Sequence, residues 1–288
     1  GFASLRSQNV YKRKVTEVKE REIVMWLPEK IQKLTAGETY QADNIGMSDS
    51  SVLLFRDKVL KIQPCGREAE TEYRMMLWLR GKLPVPQAFA YEISGQKSYL
   101  LMSRCSGRMA CDETYMRDPE LLVKLLANGL KRLWSVSVAD CPADWRLEKK
   151  LEQAREIIER GLVDMDNVEP ETFGEKGFRD PEALLQWLYD HRPKEELVLS
   201  HGDYCLPNLF GEGTEPVGYI DLGKTGVADK WCDIALCYRS LLHNAGGKYC
   251  GAAYEGFDGF DGQLLFKELG IEPDWEKIRY YTLLDELF

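Results

Sequence analysis

No apolar run approaches the roughly eighteen residues that a membrane-crossing helix needs, so the chain offers no such span. Histidine is scarce, with three residues, and the eight cysteines (65, 105, 111, 141, 205, 232, 237 and 250) form no C-x-x-C pair. That excludes the usual zinc spacings. No apolar stretch of signal-peptide length opens the chain, so the cysteines read as reduced, mostly buried thiols of a cytoplasmic protein. Basic charge is in deficit: 38 Lys and Arg stand against 47 Asp and Glu, a net charge of −9. A nucleic-acid binder needs clustered Lys and Arg, whereas an acidic surface suits a cationic partner. Residues 1–24 precede Met25, are mostly polar and read as a leader or appended extension outside the fold, although Val15, Val18 and Ile23 are spaced for a helix.

What is present is a mixed α/β pattern followed by a helical one. "SVLLFRDKVLKI" (51–62) holds two short apolar runs around a polar turn, a hairpin signal. "REAETEYRMMLWLRGKL" (67–83) reads as a helix whose apolar stripe is Ala69, Tyr73, Met76 and Leu77, stopped by Gly81 and Pro84. "KSYLLMS" (97–103) reads as a strand and "RCSG" as a loop after it. Beyond it, Asp118-Pro119 and Asp180-Pro181 each open a helix with an N-cap and a proline at the first helical position. "LEKKLEQAREIIERGL" (147–162) is amphipathic, and 197–199 and 217–220 are short strands. The terminal "DWEKIRYYTLLDELF" is a helix with Ile278, Tyr281, Leu284 and Leu287 or Phe288 inward. The expected fold is α+β and bilobal: a β-rich N-lobe over 25–103, a linker near 103–107 and a larger, mainly helical C-lobe over 104–288.

Chemistry concentrates in "ELVLSHGDYCLPNLF" (196–210). An apolar strand ends at Ser200, and His201, Asp203 and Asn208 follow with the spacing H-x-D-x-x-x-x-N. In a kinase catalytic loop this Asp takes the proton of the attacking hydroxyl and the Asn holds a metal ion. Alone the pattern is weak, since Asp and Asn also cap strand ends. Thirteen residues on, however, the strand "VGYI" delivers Asp221 in an Asp-x-Gly turn, at hairpin distance, where a kinase places a second metal ligand. Lys61 ends an apolar strand, as a phosphate-holding lysine requires, and Glu68 or Glu72 on the next helix can pair with it. No G-x-G-x-x-G precedes Lys61; "DNIGMSDSSV" (43–52) has one glycine and several serines. That, and the lack of an A-P-E segment after 223, argues against an ordinary protein kinase.

"SHGDYCLPNLF", "GYIDLGKTGVADKWCDIALCYRS", "MMLWLRGKLPVP" and the terminal "DWEKIRYYTLLDELF" together resemble the aminoglycoside 3'-phosphotransferases over about Met25 to Phe288. The resemblance implies a protein-kinase-like fold that uses ATP and Mg²⁺ to phosphorylate an aminoglycoside antibiotic. It implies Asp203 as catalytic base, Asn208 and Asp221 as metal ligands, and Lys61 with Glu72 as the phosphate-holding pair. Ser48 matches a loop contact to phosphate, and Ser103 and Cys105 match linker positions whose backbone holds adenine. Arg239, Glu171, Asp285, Glu286 and the terminal carboxylate of Phe288 match the antibiotic edge, with Asp164, Asp166 and Glu169 near it. Lys224 stands where relatives often have Arg, and His243 where a close relative has an acid. A monomer or weak dimer is expected. A kinase of another small hydroxylated amine or sugar, and a catalytically silent ATP-binding module, stay open as alternatives.

Overall fold

Side-chain alternation along the strands shapes the N-lobe of the computed structural model, which describes residues 26–43, 51–249, 254–257 and 260–288. The segment read as a leader lies outside these residues, as does Ser48. Strands β1 (Gln41–Asp43), β2 (Ser51–Leu54), β3 (Lys58–Pro64), β4 (Ala88–Ser94) and β5 (Lys97–Ser103) form one antiparallel sheet in the order β1-β2-β3-β5-β4. The expected hairpin is β2–β3, with Val52 opposite Lys61. Because strand side chains alternate faces, Leu60 and Ile62 join Leu53, Leu101 and Ile31 in an outer core. Lys61, between them, points to the other face. There Leu100 and Met102 belong to the large core that runs on into the C-lobe.

Helix α2 (Arg67–Leu79) covers that inner face; α1 is the short helix Glu29–Leu34. The inward side of α2 differs from the expected stripe. Ala69, Glu72, Met75, Met76 and Leu79 are buried, while Leu77 is 50% exposed. The rotation has a cause: Glu72 is drawn inward by Lys61, and Tyr73, half-buried at the margin of the core, stacks on Tyr91 at 4.7 Å between ring centroids.

The C-lobe carries β6 (Arg108–Met109), α3 (Glu113–Met116), α4 (Pro119–Trp134), α5 (Leu147–Glu159) and α6 (Pro181–Asp190). After them come β7 (Leu197–Ser200), β8 (Leu209–Glu212), β9 (Glu215–Tyr219), β10 (Gly226–Asp229), α7 (Lys230–Ala245), α8 (Leu264–Leu269) and α9 (Trp275–Asp285). Both expected caps are made: Asp118 accepts from the Leu121 N–H at 3.0 Å and Asp180 from the Ala183 N–H at 2.8 Å. Ile278, Tyr281, Leu284 and Leu287 of the last segment are buried. Two antiparallel pairs position the chemistry. β7 pairs with β10, and β8 with β9 in a hairpin, so the loops after β7 and β9 lie side by side. No helix among the described residues is long and apolar enough to cross a membrane.

Candidate active site

Ser200 to Asn208 form a loop held from below. Asp233, on α7 and fully buried, accepts from the Ser200 hydroxyl at 3.0 Å and from the N–H groups of His201 and Gly202, each at 2.9 Å. Burial pushes the Asp233 pKa upward, and these donors hold its carboxylate against that cost. His201 is also fully buried. Its Nδ1 accepts from the Asp203 N–H at 3.3 Å and its Nε2 faces the Ile220 carbonyl at 2.9 Å, a pattern that fits the Nε2–H tautomer. Asn208 closes the loop, donating from Nδ2 to the Asp203 carbonyl at 2.9 Å and to Asp203 Oδ2 at 3.2 Å. Tyr204 runs back into the core and donates to the Leu126 carbonyl of α4 at 2.9 Å. The Asp203 side chain is thereby oriented from both ends of the loop.

The adjacent loop carries Asp221 with φ 61°, the one positive φ among the described non-glycine residues. Such left-handed strain is typically found where surrounding structure enforces it. The enforcing contact is Lys61, whose Nζ donates to Asp221 Oδ1 at 2.7 Å and to Glu72 Oε2 at 2.8 Å. One ammonium thus ties β3, α2 and the Asp-x-Gly turn. Burial alone would lower the Lys61 pKa, but the two carboxylates raise it, and Lys61 in turn holds Asp221 down at about 2. Glu72 rather than Glu68 is the partner. Glu68 stands instead near Lys224, whose ammonium is opposed by burial but pushed up to about 12 by Glu68, Asp285, Asp203 and Asp221.

The residues present fit a magnesium ion. Mg²⁺ prefers hard oxygens and binds through one or two carboxylates, retained waters and phosphates. Asn208 commits Nδ2 to Asp203, leaving Oδ1, and Asp221 commits Oδ1 to Lys61, leaving Oδ2.

At the linker, Ser103 exchanges bonds with Gln87, its N–H donating to the Gln87 carbonyl and its Oγ accepting from the Gln87 N–H, each at 2.9 Å. The Ser103 N–H is therefore already engaged. Cys105 packs against Gly218, where a β-carbon would stand 2.8 Å from its Sγ. Burial pushes this thiol up to about 12, so it stays protonated.

The C-terminal edge is knit together. Arg239 of α7 donates to Asp285 and, at 3.1 Å, to Glu286 Oε1. Burial would raise the Asp285 pKa, but Arg239 and then Lys224 bring it down to about 2. Glu286 Oε2 accepts from the Glu169 N–H at 2.8 Å. Lys224 lies 5.5 Å from the centroid of the Phe288 ring. A shallow cleft there has Gly202, Lys224, Asp285 and Phe288 in its lining, together with Trp145 and Tyr281. Glu171 is exposed, and Glu169 of the same segment is tied to the edge through its N–H. Sequence reasoning missed Asp233, since an acid on an amphipathic helix reads as a solvated one. Within the chain, Asp285 and Glu286 of the expected antibiotic edge are paired with Arg239.

The family model described as the phosphotransferase enzyme family matches residues 39–281. An aminoglycoside 3'-phosphotransferase of Enterococcus faecalis is 40% identical over 77% of this chain and 79% of its own length. The chain belongs to the aminoglycoside 3'-phosphotransferases. A second member, from Niallia circulans, is 36% identical over 91% of this chain and 97% of its own. The crystal structure of an aminoglycoside-3'-phosphotransferase of type VIII superposes with a TM-score of 0.72 at 25% identity, covering 90% of this chain and 96% of that one. The family's protein-kinase-like, bilobal fold is the one described above.

Proposed function

We propose that this aminoglycoside 3'-phosphotransferase moves the γ-phosphoryl group of ATP to the 3'-hydroxyl of kanamycin- or neomycin-type aminoglycosides in the cytoplasm, inactivating them. The observation that carries the reading is the joined constellation of Lys61, Glu72, Asp221, Asp203 and Asn208. Residues 25–103, with Lys61 and the linker at Ser103 and Cys105, hold the nucleotide, and residues 104–288 hold the acceptor. Asp203 accepts the proton of the acceptor hydroxyl as its oxygen bonds to phosphorus, while the bond from phosphorus to the departing ADP oxygen breaks. Lys61 carries the charge of the phosphates, and Glu72 holds it in place. Mg²⁺, held by Asn208 and Asp221, supplies further charge neutralisation when bound. Arg239 positions Asp285 and Glu286 toward the ammonium groups of the acceptor.

The test is ADP release by the purified chain with Mg·ATP and kanamycin, neomycin, choline or no acceptor. Release with the two antibiotics, and NMR placing the phosphate at the 3' position, is the expected result. Release with choline alone, or equally without acceptor, would overturn the reading.

A further inference from the structure

The acceptor edge is acidic in composition but not in its free charge. Glu169, Asp285 and Glu286 face cations supplied by the chain itself. Arg239 bridges Asp285 and Glu286 with its side chain 17% exposed. The second cation is of a different kind. Lys248, in the turn after α7, places Nζ 2.6 Å from Glu169 Oε1 with 40% of its side chain exposed. Glu169 also has His243 Nε2 at 3.5 Å, and His243 Nδ1 meets the Tyr249 hydroxyl at 3.1 Å. Arg239 is a planar fork locked by two carboxylates. Lys248 is a single ammonium on a flexible stem, making one bond. Of the two, only Lys248 is readily displaced.

We infer that Lys248 is a specificity-determining residue: it occupies, on Glu169, the place of an acceptor ammonium and must be displaced by one. This rests on the reading of the site as an aminoglycoside kinase. A primary amine of the acceptor offers the same group that Lys248 offers, so binding exchanges one ion pair for another. An acceptor with an amine in reach of Glu169 can complete the exchange. One with a hydroxyl there cannot, because a neutral donor does not compensate a carboxylate as an ammonium does. Lys248 therefore weakens binding of every acceptor and weakens the poorly aminated ones most.

The test uses the full chain. In Lys248→Gln the acceptor no longer competes with the tethered cation. The KM for kanamycin at low ionic strength should fall about two- to fivefold, the range of a partly exposed ion pair. Calorimetric titration with kanamycin should show the same shift in Kd, and the ATP KM should stay put. The gain should shrink in high salt. In a Glu169→Gln background, Lys248→Gln should bring no further gain. An unchanged or raised KM in the single variant overturns the inference. So does an equal gain in the Glu169→Gln background, because Lys248 would then act through general charge alone. A wild-type chain that phosphorylates no aminoglycoside speaks against the underlying reading instead, and turnover of the wild type is measured first.

Discussion

Asp203 owes its orientation to Asn208 on one side and to the His201 ring on the other. Removing its carboxylate loses the Asn208 bond to Oδ2 but leaves the backbone of residue 203 held by Asn208 and by the His201 ring, so Asp203→Ala should lower kcat by about 10²–10⁴-fold, the usual worth of a positioned base. Nucleotide affinity should hold, and near-wild-type turnover would show that another group takes the proton. Asp221 differs because Lys61 depends on it. Asp221→Ala should abolish turnover and weaken Mg²⁺-dependent binding of a non-hydrolysable ATP analogue in calorimetry; unchanged affinity and metal dependence would leave Asp221 a turn residue. Asp233 touches no substrate but satisfies three buried donors. Orphaning them costs about 1–3 kcal/mol each. Even a loss of about 3 kcal/mol lowers Tm by roughly 6–12 °C in a protein of this size. Asp233→Ala should show that drop in a thermal melt together with lost activity, and a wild-type Tm would mean the loop is held by other contacts.

Between elements, the close approach of the two functional loops is governed by Gly202. Its φ is +80°, and a β-carbon there would stand 2.0 Å from the Lys224 carbonyl oxygen. Gly213, in the β8–β9 turn, has φ +59° with nothing within 4 Å of such a carbon. Both alanine variants carry the left-handed penalty of about 1–2 kcal/mol. Only Gly202→Ala also forces the loops apart, so it should lose at least about tenfold in kcat while Gly213→Ala keeps its activity. Equal activities would mean that the loops tolerate separation. The elements themselves were unevenly legible in the sequence. The β2–β3 hairpin, β5 and the two capped helices carry local signals and stand where those signals put them. β4 has Ala90 as its one fully buried residue and sits at the sheet edge, so its apolar signal is weak. The inward turn of Glu72 and the grip of Asp233 on a loop some thirty residues earlier are products of tertiary contact. Catalytic spacing is local and was readable; the identity of each partner was not. Spacing alone left Glu68 and Glu72 open, and it was the resemblance that implied Glu72, which Lys61 does pair with; the tie of Glu169 to Glu286 is a product of tertiary contact.

At the scale of the whole molecule, a net charge of −9 coexists with an acceptor edge whose charges are largely matched, and this has a consequence in acid. His243 lies beside Glu169, Lys248, Arg239 and Tyr249. Burial first, then Lys248, lowers its pKa to about 4, against the partial opposition of Glu169. In the unfolded chain it titrates near about 6.5, so between these values the unfolded state binds more protons. Stability from a neutral His243 is therefore complete above about pH 6.5 and is lost as pH falls toward about 4. Asp221 and Asp285, both held at about 2, add a second loss only below about pH 4, where unfolded carboxylates take up protons. Asp229, Asp233 and Glu286 are shifted upward by burial and work in the opposite sense. A comparison with His243→Asn cancels them, because the variant retains all three. Full linkage gives at most about 1.4 kcal/mol per pH unit for one proton. With the side chain 21% exposed, the wild type should lose about 1–2 kcal/mol more than His243→Asn between pH 7 and 4.5. Urea unfolding at several pH values checks this. Parallel declines in the two proteins would mean that His243 titrates in the folded state as it does in water.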